Sequence, residues 1–141
     1  MKYMIMLYAS QQEYDAMAGK SSPGSPAYTP EDLAAMHEFM GKWNQALVDS
    51  GEFVEAHGLA APVHTRRIHG LKDGVPVVTD GPYAETQEVL AGYNVVECAS
   101  FDRATELAAQ ITQCPAPTGV DPSAWYVDVR PIDEGPSDVE S

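Results

Sequence analysis

Cationic side chains are scarce in this chain. Lys and Arg number 8 against 21 Asp and Glu, a formal charge of −13. That balance argues against nucleic acid as a partner, because phosphate binding needs a Lys/Arg surface. It argues equally against anionic membrane surfaces. Cysteine is nearly absent, with only Cys98 and Cys114. They form no C-x-x-C pair, and a chain of 141 residues can bury a core without disulfide staples. No apolar run approaches the roughly 18 residues of a membrane span. The run from Tyr3 to Ala9 is too short for a signal-peptide core. The expectation is a soluble, cytoplasmic protein with reduced thiols. Also missing are a phosphate-cradling glycine loop, a G-x-S-x-G elbow and a Cys/His cluster. Nucleotide-dependent and serine-hydrolase readings therefore lack support, and neither a cofactor nor a metal is expected.

What is present reads as one mixed α+β domain over residues 1–133, followed by an acidic tail, 134–141, expected to fray. Residues 2–8, Lys-Tyr-Met-Ile-Met-Leu-Tyr, are apolar on both alternating faces, as a central strand would be. Residues 10–28, with Ser21, Ser22, Pro23, Gly24, Ser25 and Pro26, read as a long loop able to cover a pocket. Thr29-Pro30-Glu31-Asp32 is a strong helix start. Leu33, Met36, Met40, Trp43 and Leu47 then recur at helical spacing until Gly51. A strand is predicted over 52–60, with Phe53, Glu55, His57 and Leu59 on one face. A hairpin over 64–72 and 75–79 turns at Asp73-Gly74. An irregular segment, 80–90, precedes a strand at 92–98. Ser100 or Asp102 caps a second helix, whose buried stripe is Phe101, Ala104, Leu107, Ala108 and Ile111. A last strand spans 124–130.

The order β-α-β, inserted hairpin, β-α-β predicts a ferredoxin-like antiparallel sheet with both helices on one face. The first strand is apolar on its other side as well. A second copy packed sheet on sheet would cover that side, so a homodimer enclosing a cleft, barrel-like across the two copies, is expected.

At Asp80-Gly81-Pro82-Tyr83-Ala84-Glu85-Thr86 the chain resembles the Asp-Gly-Pro-Phe signature of the YCII-related family, in its DGPF branch. Lys2-Tyr3-Met4, Ala91-Gly92-Tyr93 and Val129-Arg130-Pro131-Ile132 extend the resemblance across residues 1–133. Tyr83 stands where that signature usually has Phe, which adds a hydroxyl. The resemblance implies a ferredoxin-like fold and dimerisation. It implies no settled reaction, although such proteins are described with a His and Asp pair in a pocket. The branch is also associated with genes for extracytoplasmic-function sigma factors, which makes a sigma factor a candidate partner.

Among single residues, His37 sits at the edge of the buried helical stripe, where an imidazole can move a proton near neutral pH. Asn44, seven residues on, shares that edge. Asp80 would orient His37 or accept a proton, although Asp-Gly-Pro is also a turn sequence in its own right. Tyr83 and Glu85 follow within reach of the same pocket, and Tyr83 can donate to an oxyanion. Arg66 and Arg67 point to opposite sides of a strand; one would clamp a carboxylate, or both serve as surface ion pairs. His57, His64 and His69 lack metal-ligand spacing.

Two readings of function follow. The first is a small dimeric enzyme doing cofactor-free acid–base chemistry on a small organic acid or carbonyl compound. There His37 and Asp80 are catalytic, and Tyr83, Glu85, Arg66 and Asn44 bind the ligand. The second is a non-catalytic module that holds a small ligand or meets a regulatory protein.

Overall fold

The structure, a computed structural model, describes residues 1–135. Most of the expected tail, from residue 136 on, lies outside the described residues. Among the described residues, six strands and three α-helices form a mixed α+β fold. The strands are β1 (Lys2–Ala9), β2 (Phe53–Gly58), β3 (Arg66–Lys72), β4 (Val75–Asp80), β5 (Val89–Glu97) and β6 (Asp128–Pro131). The helices are α1 (Gln11–Met17), α2 (Pro30–Ser50) and α3 (Phe101–Ile111). Four strands make an antiparallel sheet in the order β2-β5-β1-β6, while β3 and β4 pair separately as an antiparallel hairpin. Neither sheet closes into a barrel.

β1 is central, and its alternation sorts the sheet into two faces. Tyr3 and Ile5 are buried opposite Val96 and Asn94 of β5. Met4 and Met6 point the other way, opposite Val95 and Tyr93. The first face packs against Trp43 and Leu47 of α2 and Ala104, Leu107, Ala108 and Ile111 of α3. Trp43 also donates from Nε1 to the Leu107 carbonyl at 3.1 Å, so one side chain fastens both helices.

Helix ends follow local chemistry. Thr29 caps α2 by accepting from Asp32 N at 3.0 Å, and Asp32 returns the bond to Thr29 N at 3.0 Å. Gly51 closes α2 at φ 79°, a left-handed conformation that favours glycine. The hairpin turns where expected: Asp73 and Gly74 both take positive φ, 52° and 77°, as a two-residue type I′ turn requires.

Several expectations change. Residues 10–28 are not all loop, because Gln11–Met17 forms α1 behind a capping box in which Ser10 accepts from Glu13 N at 3.1 Å. Phe53 does not share a face with Glu55 and His57. A register shift between Phe53 and Glu55 turns Phe53 toward the core and leaves the other two exposed. Phe101 is 46% exposed at the start of α3, where it meets the Tyr3 ring at 5.4 Å instead of joining the buried stripe. The final strand begins at Asp128, after a 3-10 turn over Pro122–Ala124. β5 starts at Val89, three residues before the expected 92.

One ion pair ties the start of β2 to α3. Arg103 donates from Nε and Nη2 to Glu52 at 3.0 and 2.9 Å. These charge-assisted bonds hold the Glu52 carboxyl below its ordinary range and push the Arg103 guanidinium up. A carboxyl lowered in the folded state adds stability above its unfolded pKa and loses it as pH falls through the folded value. Arg103→Gln should therefore lower the Tm at neutral pH, and the gap from wild type should close on acidification, as followed by circular dichroism. Trp43→Ala should cost about 3–5 kcal/mol by urea denaturation, since it empties the contact between both helices and the sheet.

Candidate functional site

Two cavities flank the inner end of α2, and Leu7, Met17 and Met40 line both of them. The first, of about 390 Å³, opens beside β2 and β5. The second, of about 260 Å³, lies between α1, α2, the end of α3 and the segment before β6. The second holds the denser chemistry. Glu13, Tyr28, Cys114 and Tyr126 line it together with Tyr8 and Glu88, and no Lys, Arg or His does so among the described residues.

Glu13 is placed by the capping box that starts α1. Its Oε1 accepts from Ser10 N at 3.2 Å and from Ser10 Oγ at 3.3 Å. Burial raises its pKa, the Ser10 backbone bond opposes that, and the charge of Glu88 adds to it. Burial likewise pushes up the Tyr28 hydroxyl and the Cys114 thiol. Tyr126 is held up first by its hydrogen bond to Glu88, and Tyr8 by its bond to Asp128 at 2.8 Å. The rings of Tyr8 and Tyr126 lie 5.4 Å apart. The cavity is thus acidic in composition, and burial raises the Glu13 carboxyl within it. Tyr8 and Tyr126 have given their protons to Asp128 and Glu88, so the Tyr28 hydroxyl is the tyrosine donor left beside an apolar floor of Leu7, Met36 and Met40 among the described residues.

The residues singled out in the sequence disperse. His37 is exposed on α2 and makes no hydrogen bond or ion pair among the described residues, Asp80 included. Asp80 ends β4 with its side chain 82% exposed and faces Arg66 Nε at 3.5 Å. Next to it Gly81 takes φ 55° and donates from N to the Thr65 carbonyl at 2.8 Å, which closes the base of the hairpin. The Arg67 guanidinium lies 5.3 Å from the centre of the Tyr83 ring. The Glu85 carbonyl accepts from Gln12 N at 3.0 Å, which joins the signature segment to α1. Asn44 alone of the six lines a cavity, the first one, where its Oδ1 accepts from Asn94 Nδ2 at 2.8 Å.

Glu13, Tyr28, Glu88 and Tyr126 were not singled out. For Glu13 the signal was Ser10-x-x-Glu13, a capping-box spacing inside a stretch rich in loop residues. The tyrosines carry no such pattern; only the packing of α1 against the chain end assembles them. Among the described residues, no group of three or more His, Cys, Asp and Glu side chains could hold a metal ion, and Cys98 and Cys114 are free.

The family model described as the YCII-related domain matches residues 1–120. An uncharacterized protein of Rhizobium meliloti (strain 1021) is 37% identical over 59 residues. That stretch is 42% of this chain and 43% of the relative, so the match spans less than half of the relative's length. No helix among the described residues is long and apolar enough to cross a membrane.

A carboxyl raised in the folded state costs stability when ionised. The cost is full above the folded pKa, fades as pH falls through it and is gone below the unfolded value. Glu13→Gln keeps an acceptor for the Ser10 cap and removes the charge. It should raise the Tm at pH 8 and leave it near wild type at pH 3.5. A fall at both pH values would show that the cap, not the charge, dominates.

Proposed function

Because the chain belongs to the YCII-related domain family, which by itself fixes no reaction, we propose a function from the cavity between α1 and the segment before β6. It binds a small, uncharged carbonyl compound with an apolar body. The observation that carries this reading is the raised Glu13 carboxyl in a lining without a basic residue among those described. A carboxyl that burial makes readier to hold a proton, and the Tyr28 hydroxyl, can donate hydrogen bonds to a carbonyl oxygen. A carboxylate ligand would meet the charge of Glu88 with no Lys, Arg or His in the lining to offset it, which favours the carbonyl compound over the organic acid. The cavity is just below the roughly 300 Å³ lower end of common ligand sites, which suits a compact molecule.

A catalytic step fits the same geometry. A carboxyl whose pKa is raised by burial is suited to general-acid work on a bound carbonyl, and that makes Glu13 the proton donor. The His37 and Asp80 pair belongs to a different version, in which a second copy of the chain brings the two together. The strand order β2-β5-β1-β6, with a helix following β1 and β5, supports a ferredoxin-like assignment. Half-buried Met4, Met6 and Tyr93 on the outward sheet face support a homodimer through that face. The regulatory alternative, a module meeting a protein such as a sigma factor, would use the same bound ligand as its signal.

The test is ligand-observed NMR with cyclohexanone, cyclohexanol and cyclohexanecarboxylate as matched probes. Cyclohexanone should bind best, more tightly at pH 5 than at pH 8, and Glu13→Gln should flatten that pH dependence. His37→Ala and Asp80→Asn should leave it unchanged. Preferential binding of the carboxylate, or loss of binding in His37→Ala, would reject this assignment.

A further inference from the structure

The first cavity is lined by a nearly buried side-chain amide, that of Asn94. Asn94 is 4% exposed in the middle of β5. Its amide orientation is set by a relay that starts at a backbone carbonyl. The Met40 carbonyl can only accept, so it takes Asn44 Nδ2 at 2.9 Å. Asn44 must then present Oδ1, which takes Asn94 Nδ2 at 2.8 Å. The relay leaves Asn94 Oδ1 with no donor among the described residues. No fully enclosed side-chain N or O atom there lacks a partner. Asn94 Oδ1 therefore keeps its access to solvent through the cavity that Asn94 lines.

We propose that this cavity is a second binding site, separate from the carbonyl site, and that it takes a small primary ammonium ion. Two features select that class. Asn94 Oδ1 needs a donor. Tyr14 donates its proton to the Leu59 carbonyl at 2.8 Å, so its own oxygen presents lone pairs. No Lys or Arg is present among the lining residues. An ammonium carries three N–H donors, enough for both acceptors. An alkyl group on the ammonium would lie against Leu7, Met17 and Met40. The shared wall is apolar and uncharged, so the site does not depend on what fills the neighbouring cavity.

Titration of the 15N-labelled full chain with n-butylammonium chloride, 1-butanol and sodium butyrate tests the site. Butylammonium should shift the Asn94 side-chain amide and the Gly92 backbone amide, with butanol weaker and butyrate inert. Asn94→Leu strands Asn44 Oδ1, so the control is the double variant Asn44→Leu/Asn94→Leu, which removes both partners together. That variant should keep the wild-type pattern of dispersed amide signals and bind butylammonium about tenfold more weakly or worse. Equal response to all three probes, no response to any, or undiminished binding by the folded double variant would overturn the proposal. Signals of Thr112 and Tyr126 report the other cavity separately, so failure there and failure here are distinguishable.

Discussion

Everything else in the molecule is set by the position of β1 between β5 and β6. A strand hydrogen-bonded on both edges has no freedom of register, because a one-residue slip would exchange its two faces. With Tyr3 and Ile5 committed to the helices, Met4 and Met6 are committed to the opposite side. Leu7, near the end of the strand, then stands where the core opens into both cavities. The helices sit above this frame, and Trp43 locks them to each other through Leu107.

Much of the frame was legible because it is encoded locally. Thr29-Pro30 and Gly51 mark both ends of α2, and the apolar spacing between them names its buried face. Asp73-Gly74 states a hairpin turn outright. What escaped was encoded at a distance or in one-residue irregularities. A bulge after Phe53 cannot be read from alternation, yet it decides which of Phe53 and Glu55 enters the core. Seven-residue α1 is too short to show a periodicity, and the Ser/Pro/Gly run behind it favours a loop reading. The candidate site was less legible than the fold. Tyr8, Glu13, Tyr28 and Tyr126 come from four parts of the chain, and no spacing rule connects them. Asp80-Gly81-Pro82 drew attention through its composition. In the fold it closes the hairpin base through Gly81.

Charge is distributed unevenly with respect to these sites. Of the 8 basic residues, Arg103 is engaged with Glu52 and Glu106, Lys42 with Glu38, and Arg66 with Asp80. None of the eight lines either cavity. In a chain carrying −13, that arrangement places the concave surfaces under a negative field without a local counter-charge. Glu13 is raised there, first by its burial, with the charge of Glu88 adding to it.

The β3–β4 hairpin has every residue exposed and pairs with no other strand among the described residues. Its base is closed where Gly81 N donates to the Thr65 carbonyl. A two-stranded ribbon in water is marginal on its own. Its amides should therefore exchange with solvent by local opening, on an energy scale unrelated to that of the core. A global unfolding curve would then report the sheet and helices and be silent about the ribbon.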